Sequence, residues 1–321
     1  VTSGVVLALD VGGTQLKAAI SGAGGALTNL VRRPTSAAEG GDAVLQRLVM
    51  LLRELRETAE ASGRGIPLAA GVAVPGLVDE RGGVVRFTAN LPWRHRPLAS
   101  QLEAALGVPV VLCHDVRAAG LAESRFGAAR DVSDFCFVAL GTGIAAAIVG
   151  GGHPVLGAHG QSGELGHIVV DPTGERCGCG ATGCLETVAS AAAIVRRYGR
   201  RRPEAAGTSA EEVLERAEAG DEAAREVRDA AIGALAGALA TFQLVIDAEL
   251  IVLGGGLSLA GSRLLEPLRD ELSQRCTLAA VPRLELAQLG ADAGCIGAGL
   301  AAWDELERRS GDGKTASTGL A

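Results

Sequence analysis

The chain has 321 residues, 48% hydrophobic and 21% charged, with a net charge of −7. That length suits about two domains of roughly 150 residues, and the apolar share excludes a disordered chain and a small disulfide scaffold. Five Phe, two Trp and one Tyr are too few for an aromatic platform that stacks single-stranded nucleic acid, and the acidic balance speaks against a general phosphate-backbone binder. Seven cysteines, an odd number with three crowded together, do not form a disulfide framework. No stretch near the start combines a basic segment, an apolar run and a small-residue cleavage site. The apolar stretches near residues 230–253 are interrupted by Gln243, Asp247 and Glu249. The expectation is a cytoplasmic globular protein with no nucleic-acid and no membrane partner.

In chain order, Val5 to Asp10 reads as a strand, Gly12-Gly13 as a turn and Leu16 to Ser21 as a second strand, and the Gly22–Gly25 cluster turns into a third. A helix follows with apolar residues at Val44, Leu48, Leu51, Leu52 and Leu55. Leu68 to Val74 is a buried-type strand ended by Pro75-Gly76. A loop around Asn90-Leu91-Pro92-Trp93 precedes a short helix, the strand Val108 to Cys113 and a helix from about Val116 to Phe126. The pattern then repeats: strand Phe135 to Leu140, turn Gly141-Thr142-Gly143, strand Ile144 to Val149. A Gly/His/Cys-rich loop runs from Gly150 to Cys184, with helices over about 189–247. Strand Leu250 to Leu253 enters Gly254-Gly255-Gly256, and strand Leu284 to Leu289 precedes a closing helix from Cys295.

Two halves that each open on a hairpin with a Gly/Thr turn predict a duplicated, two-lobed α/β fold with a ligand cleft between lobes. The expected division is a small lobe over 1–115, a large lobe over 116–294 carrying the Cys-rich loop, and a flexible tail over 310–321. The closing helix, 295–309, is expected to return to the small lobe.

Asp10-Val-Gly-Gly-Thr14, with Lys17 close behind, suits an anion: Gly12 and Gly13 let backbone N–H groups approach a phosphate, Thr14 adds a hydroxyl, and Asp10 can hold hydrated Mg²⁺. Alone it could be an ordinary hairpin turn. Gly141, Thr142 and Gly143 repeat the chemistry, and Gly254, Gly255 and Gly256 again follow a strand, so together they predict a nucleotide site.

His167 and Cys177, Cys179 and Cys184 match the one imidazole and three thiolates of a closed tetrahedral zinc site. A redox pair or incidental cysteines are the alternatives. Four protein ligands leave no open position, so such a Zn²⁺ is structural. Cys113, Cys136, Cys276 and Cys295 read as core filler. Two motif look-alikes are set aside. Gly178, Gly180 and Gly183 satisfy G-x-G-x-x-G without a preceding strand, and Gly313-Lys314-Thr315 lacks the first glycine of a P-loop because position 308 is Arg.

His114-Asp115 lies at a strand-to-helix junction. Asp115 can orient and deprotonate a substrate hydroxyl in phosphoryl transfer, or simply cap the helix. Glu164, His167 and Glu186 bracket the Cys-rich loop, and with Asn90 they suit hydrogen bonding to vicinal hydroxyls. Each could equally be a solvated loop residue.

Together these motifs resemble the ROK family of sugar kinases and repressors, within the actin-like ATPase superfamily, over about residues 5–305. The match rests on Asp10-x-Gly-Gly-Thr14, on Gly163-Glu164-Leu-Gly-His167, and on the Cys177/Cys179/Cys184 loop running into Leu185-Glu186. The resemblance implies a two-lobed hexokinase-type fold and a homodimer. It implies Asp115 as the base for a sugar 6-hydroxyl, a sugar site of Asn90, Glu164, His167 and Glu186, and Mg·ATP held by the three glycine turns with Asp10 and Thr14. His114 stands where the family usually has Asn that looks to contact sugar hydroxyls, which puts the sugar in question. Ala145-Ala146-Ala147 replaces glycines after the second turn, narrowing that approach.

The expected activity is an ATP-dependent hexose kinase, glucokinase-like, with N-acetylmannosamine or N-acetylglucosamine kinase as the alternative. The repressor branch carries a helix-turn-helix before Asp-x-Gly-Gly-Thr, whereas nine residues precede Asp10 here. A sugar sensor without catalysis is the alternative of another class, and intact Asp115 speaks against it.

Overall fold

The structure, a computed structural model, describes residues 4–315, with side chains to residue 310. In chain order its elements begin β1 (Val5–Val11), β2 (Gln15–Gly22), β3 (Leu27–Pro34), α1 (Gly41–Ala61), β4 (Ala70–Val74), β5 (Leu77–Asp79), β6 (Val84–Phe87) and β7 (Arg94–Arg96). They continue α2 (Leu98–Leu106), β8 (Val110–His114), α3 (Asp115–Phe126), β9 (Phe135–Leu140), β10 (Ile144–Gly150), β11 (His153–Pro154), α4 (Glu186–Ala189), α5 (Ala191–Arg201) and α6 (Ala210–Glu218). The last are α7 (Glu222–Ile246), β12 (Leu250–Gly254), α8 (Ser262–Arg275), β13 (Arg283–Leu286) and α9 (Ala293–Thr315). The chain forms two compact units. One runs to Ala122 and takes in residues 158–160 and the chain from Ala291; the other comprises Glu123–Gly157 and Gln161–Gly290.

In the first unit the sheet order is β3-β2-β1-β4-β8. β1 and β2 pair antiparallel from Val5↔Gly22 to Val11↔Leu16, so residues 12–14 form the tip of the hairpin and Asp10 stands directly opposite Lys17. β4 and β8 add in parallel. Buried residues of β1, β2, β4, α1 and α2 build one core, largely Leu and Val, with Trp93 its largest side chain. The other face of the sheet takes α9, which packs on β1, β2, β4 and β8. Glycines on both sides make this close approach possible, since a Cβ at Gly71 of β4 would overlap the Ala298 carbonyl and one at Gly299 would lie 2.6 Å from Ser21 Oγ of β2. A separate three-stranded sheet, β5-β6-β7, is absent from the sequence expectation. Its strands are three or four residues long and mix Arg and Asp with Val, too short for a two-residue alternation to register.

The second unit repeats the order as β11-β10-β9-β12-β13. An antiparallel hairpin again stands beside two parallel strands, as the two Gly/Thr turns predicted. Its core joins β9, β10 and β12 to α5, α6, α7 and α8. α7 has the length and hydropathy of a membrane-crossing helix, yet Val227, Ile232, Leu235 and Leu239 are buried and it packs against α4, α5, α6 and α8. α9 continues to Thr315, so residues 310–315, expected as tail, are helical. Residues 316–321 of that expectation lie outside the described residues.

Candidate active site

In the first unit the candidate residues gather where β1, β4 and β8 end. The Gly12–Thr14 tip is fastened by Gly12 N–H to Gln15 O at 3.0 Å, by Thr35 N–H to Thr14 O at 2.9 Å and by the Thr35 hydroxyl to Gly12 O at 2.6 Å. Asn90 lies over this tip, since a Cβ at Gly13 would come 3.0 Å from the Asn90 Cβ. The Asn90 loop is anchored by buried Leu91 and by Trp93, whose Nε1 donates to Gly41 O at 3.0 Å.

Asp10 and Lys17 form an ion pair at 3.4 Å, and Lys17 also donates to the Ala291 carbonyl ahead of α9. Burial pushes the Asp10 carboxyl up to about 6, against the pull of Lys17 and with help from the Asp115 charge. A Cβ at Gly294 would lie 2.9 Å from Asp10 Oδ2, so the first turn of α9 approaches that carboxylate with glycine. Lys17 and Asp292 therefore bear on Asp10 as well, and Asp292 was not singled out from the sequence.

His114 ends β8 and Asp115 opens α3. Asp115 Oδ1 accepts the Val116 N–H at 2.7 Å and lies 3.4 Å from His114 Nε2. The Asp115 side chain stays 33% exposed while His114 is 8% exposed. Desolvation by the surrounding protein raises the Asp115 carboxyl above its ordinary value, opposed by the Val116 N–H and the Arg117 charge. A carboxylate open to ligand yet more basic than usual has the character of a general base. Glu80 and buried Arg117, an ion pair touching this junction, were missed in the sequence. No spacing pattern links a turn residue to a helix residue 37 positions on.

In the second unit, Gly141 N–H closes on Gly143 O at 2.9 Å, and the Ala191 N–H of α5 meets Gly141 O at 2.9 Å. Gly255, at φ +83°, lies on the end of β9, where a Cβ would overlap the Leu140 carbonyl. The second and third glycine turns are therefore neighbours. Ala145–Ala147 belong to β10, with Ala146 and Ala147 buried, so their methyl groups lie beyond the turn. Glu186 Oε2 accepts the Ile144 N–H at 3.0 Å and fills the space a Cβ at Gly143 would take.

His167, Cys177, Cys179 and Cys184 come together with all four ligand atoms within 4.8 Å of one another. Cys177 Sγ lies 3.6 Å from His167 Nδ1, and Cys179 Sγ lies 3.6 Å from Cys184 Sγ. Ligand atoms about 2.3 Å from a central zinc would stand about 3.8 Å apart in a tetrahedron, so the four residues fit Zn²⁺. The loop is shaped for this by Cys177 N–H to Ala181 O at 2.8 Å, by Gly180 N–H to Cys177 O at 3.0 Å and by Gly180 at φ +97°. His167 Nε2 lies 3.9 Å from Glu164 Oε2, so one ring nitrogen faces the thiols and the other the Glu164 side.

The ROK family model matches residues 6–305. The chain belongs to the ROK family. This ROK chain is 34% identical over 310 residues to a glucokinase of Thermotoga maritima, covering 91% of this chain and 95% of the relative. It is 32% identical over 300 residues to an N-acetylmannosamine kinase of Escherichia fergusonii, covering 93% and 98%. A crystal structure of a ROK family glucokinase from Streptomyces griseus, in complex with glucose and AMPPNP, superposes with a TM-score of 0.80 at 29% identity, covering 94% of this chain and 100% of that one. The architecture of this ROK chain is the actin-like ATPase fold, each unit contributing one five-stranded sheet of the same order.

Proposed function

We propose that this chain is an ATP-dependent hexose kinase that transfers the γ-phosphoryl group to the 6-hydroxyl of a hexose, with glucose its preferred acceptor. The observation that carries the proposal is Asp115: a partly open carboxylate made more basic by its surroundings, on the same sheet end as a glycine turn fit for phosphate. Asp115 takes the hydroxyl proton as the oxygen attacks the γ-phosphorus and ADP leaves. The Gly12–Thr14 turn with Lys17, together with Gly141–Gly143 and Gly254–Gly256, positions the phosphates through backbone N–H groups, and Asp10 is the residue that would hold hydrated Mg²⁺. Bound Mg²⁺ supplies neutralisation of phosphate charge.

Asn90, His114, Glu164, His167 and Glu186 are proposed to hold the sugar hydroxyls. Glu186 spends one oxygen on the Ile144 N–H and keeps the other for a hydroxyl. His167, Cys177, Cys179 and Cys184 would hold Zn²⁺, which would brace the loop that carries Glu164 and His167. The relatives support the class: a glucokinase and an N-acetylmannosamine kinase match at similar identity. The second supports the alternative, an N-acetylmannosamine acceptor.

ADP release with Mg·ATP over glucose, mannose, fructose, glucosamine, N-acetylglucosamine and N-acetylmannosamine tests this. The expected result is strong turnover on glucose. Turnover confined to an N-acetylated sugar moves the assignment to the alternative, and silence across the panel with zinc present and ATP bound rejects all of these acceptors and favours another sugar or the sensor.

A further inference from the structure

Glu80 stands outside every role assigned above, yet it is tied to both sides of Asp115. It follows β5 in a turn that Asp79 holds fast, accepting the Gly82 N–H at 3.0 Å and pairing with Arg86 at 2.8 Å. From there Glu80 Oε1 accepts the backbone N–H of His114 at 2.8 Å and the Nε of Arg117 at 2.7 Å. β8 is the last strand of its sheet, so a donor on its outer side has no neighbouring strand to accept it. One carboxylate oxygen thus grips the residue before Asp115 and the residue two after it. Arg117 is buried and Glu80 half-buried, their side chains 8% and 20% exposed.

We infer that Glu80 is a positioning residue for Asp115: it fixes the strand-to-helix junction that aims the carboxylate, and its charge masks Arg117. The inference rests on the proposal that Asp115 is the base. The charged and titratable groups that bear on Asp115 are Asp10 from β1, Cys113 and His114 from β8 and Arg117 from α3. Of these Arg117 draws the Asp115 proton off. Glu80 offsets that pull and keeps the carboxylate a stronger base. Loss of the Glu80 charge alone exposes Asp115 to an unmasked guanidinium, and loss of its reach frees the junction as well. Misplacement of a reacting group by about 1 Å costs on the order of 100-fold in rate.

The test is kcat against pH, at saturating sugar and Mg·ATP, for Glu80→Gln, Glu80→Ala, Arg117→Gln and the double variant Glu80→Gln/Arg117→Gln, with Asp115→Asn as reference. Gln keeps an acceptor for both donors and removes only the charge. Glu80→Gln is expected to lower kcat about 5-fold and to move the acid limb to lower pH. Arg117→Gln is expected to move the limb to higher pH, and the double variant to return it toward the parent. Glu80→Ala is expected to lose about 100-fold in kcat, with KM for ATP within twofold; should it fail to fold, the Gln series decides. A limb that stays in place across the series, even with kcat depressed, overturns the inference and leaves Glu80 a structural residue only. An Asp115→Asn variant that keeps full turnover fails a different statement, that Asp115 is the base.

Discussion

Asp10 shows how one residue trades stability for a site. Its place opposite Lys17 is set by the β1–β2 register, and its burial raises the carboxyl from 3.8 to about 6. A carboxyl raised on folding favours the folded state while protonated. That contribution is whole below pH 3.8 and is lost as pH rises through about 6, leaving the ionised form a cost of at most about 3 kcal/mol. Asp10→Asn is therefore expected to raise Tm relative to the parent above pH 6 without Mg²⁺ or nucleotide, with the difference shrinking towards pH 4. Thermal melts across that range check it, and a difference independent of pH refutes it. The variant should also lose turnover. Gly143 makes a second case at this scale. Its missing Cβ is the space of the Glu186 carboxylate, which is the far end of a flexible side chain. Gly143→Ala is expected to leave Tm within a few degrees, because the carboxylate can swing away, while raising the sugar KM about 10-fold. Steady-state kinetics with unchanged sugar KM would separate Glu186 from the sugar site.

At the scale of elements, the Cys-rich stretch over 168–185 has no strand or helix of its own, only two isolated bridges, Val169↔Cys184 and Arg176↔Thr182, and the backbone hydrogen bonds that close its turns. Glu175 adds ion pairs to Arg196 and Arg200 of α5, but exposed pairs of this kind contribute little. Glu164 and His167 themselves are held against β10, by Ala146 N–H to Gly163 O at 2.7 Å and by buried Leu165, so a metal on the four candidate ligands would tie the Cys177–Cys184 turn to His167. Elemental analysis of protein prepared without chelator is expected to give one zinc per chain. Its removal by a strong chelator is expected to raise the sugar KM about 10-fold or more, with ATP affinity much less affected. Metal-free protein with unaltered sugar kinetics would remove Zn²⁺ from the account. This loop was legible in the sequence because its ligands sit within a short stretch, with glycines placed for tight turns. The β5–β7 sheet was not, and neither was Glu80, whose partners His114 and Arg117 lie more than thirty positions away.

At the scale of the molecule, the two sheets share one strand order, and each hairpin ends in a Gly/Thr turn. Both facts trace to local pattern: apolar runs of strand length, glycines where the backbone must turn, and cysteines at ligand spacing. Those signals are carried by neighbours in the chain, so the duplicated α/β plan, the three glycine turns, the four candidate metal ligands and the Asp115 junction can all be read from sequence alone. What surrounds them emerges in the folded chain. Burial raises Asp10 and Asp115, Glu186 closes on Ile144, α9 brings glycine against Asp10, and Glu80 joins His114 to Arg117. Desolvation and side-chain contact depend on residues distant in the chain, and no local period encodes them.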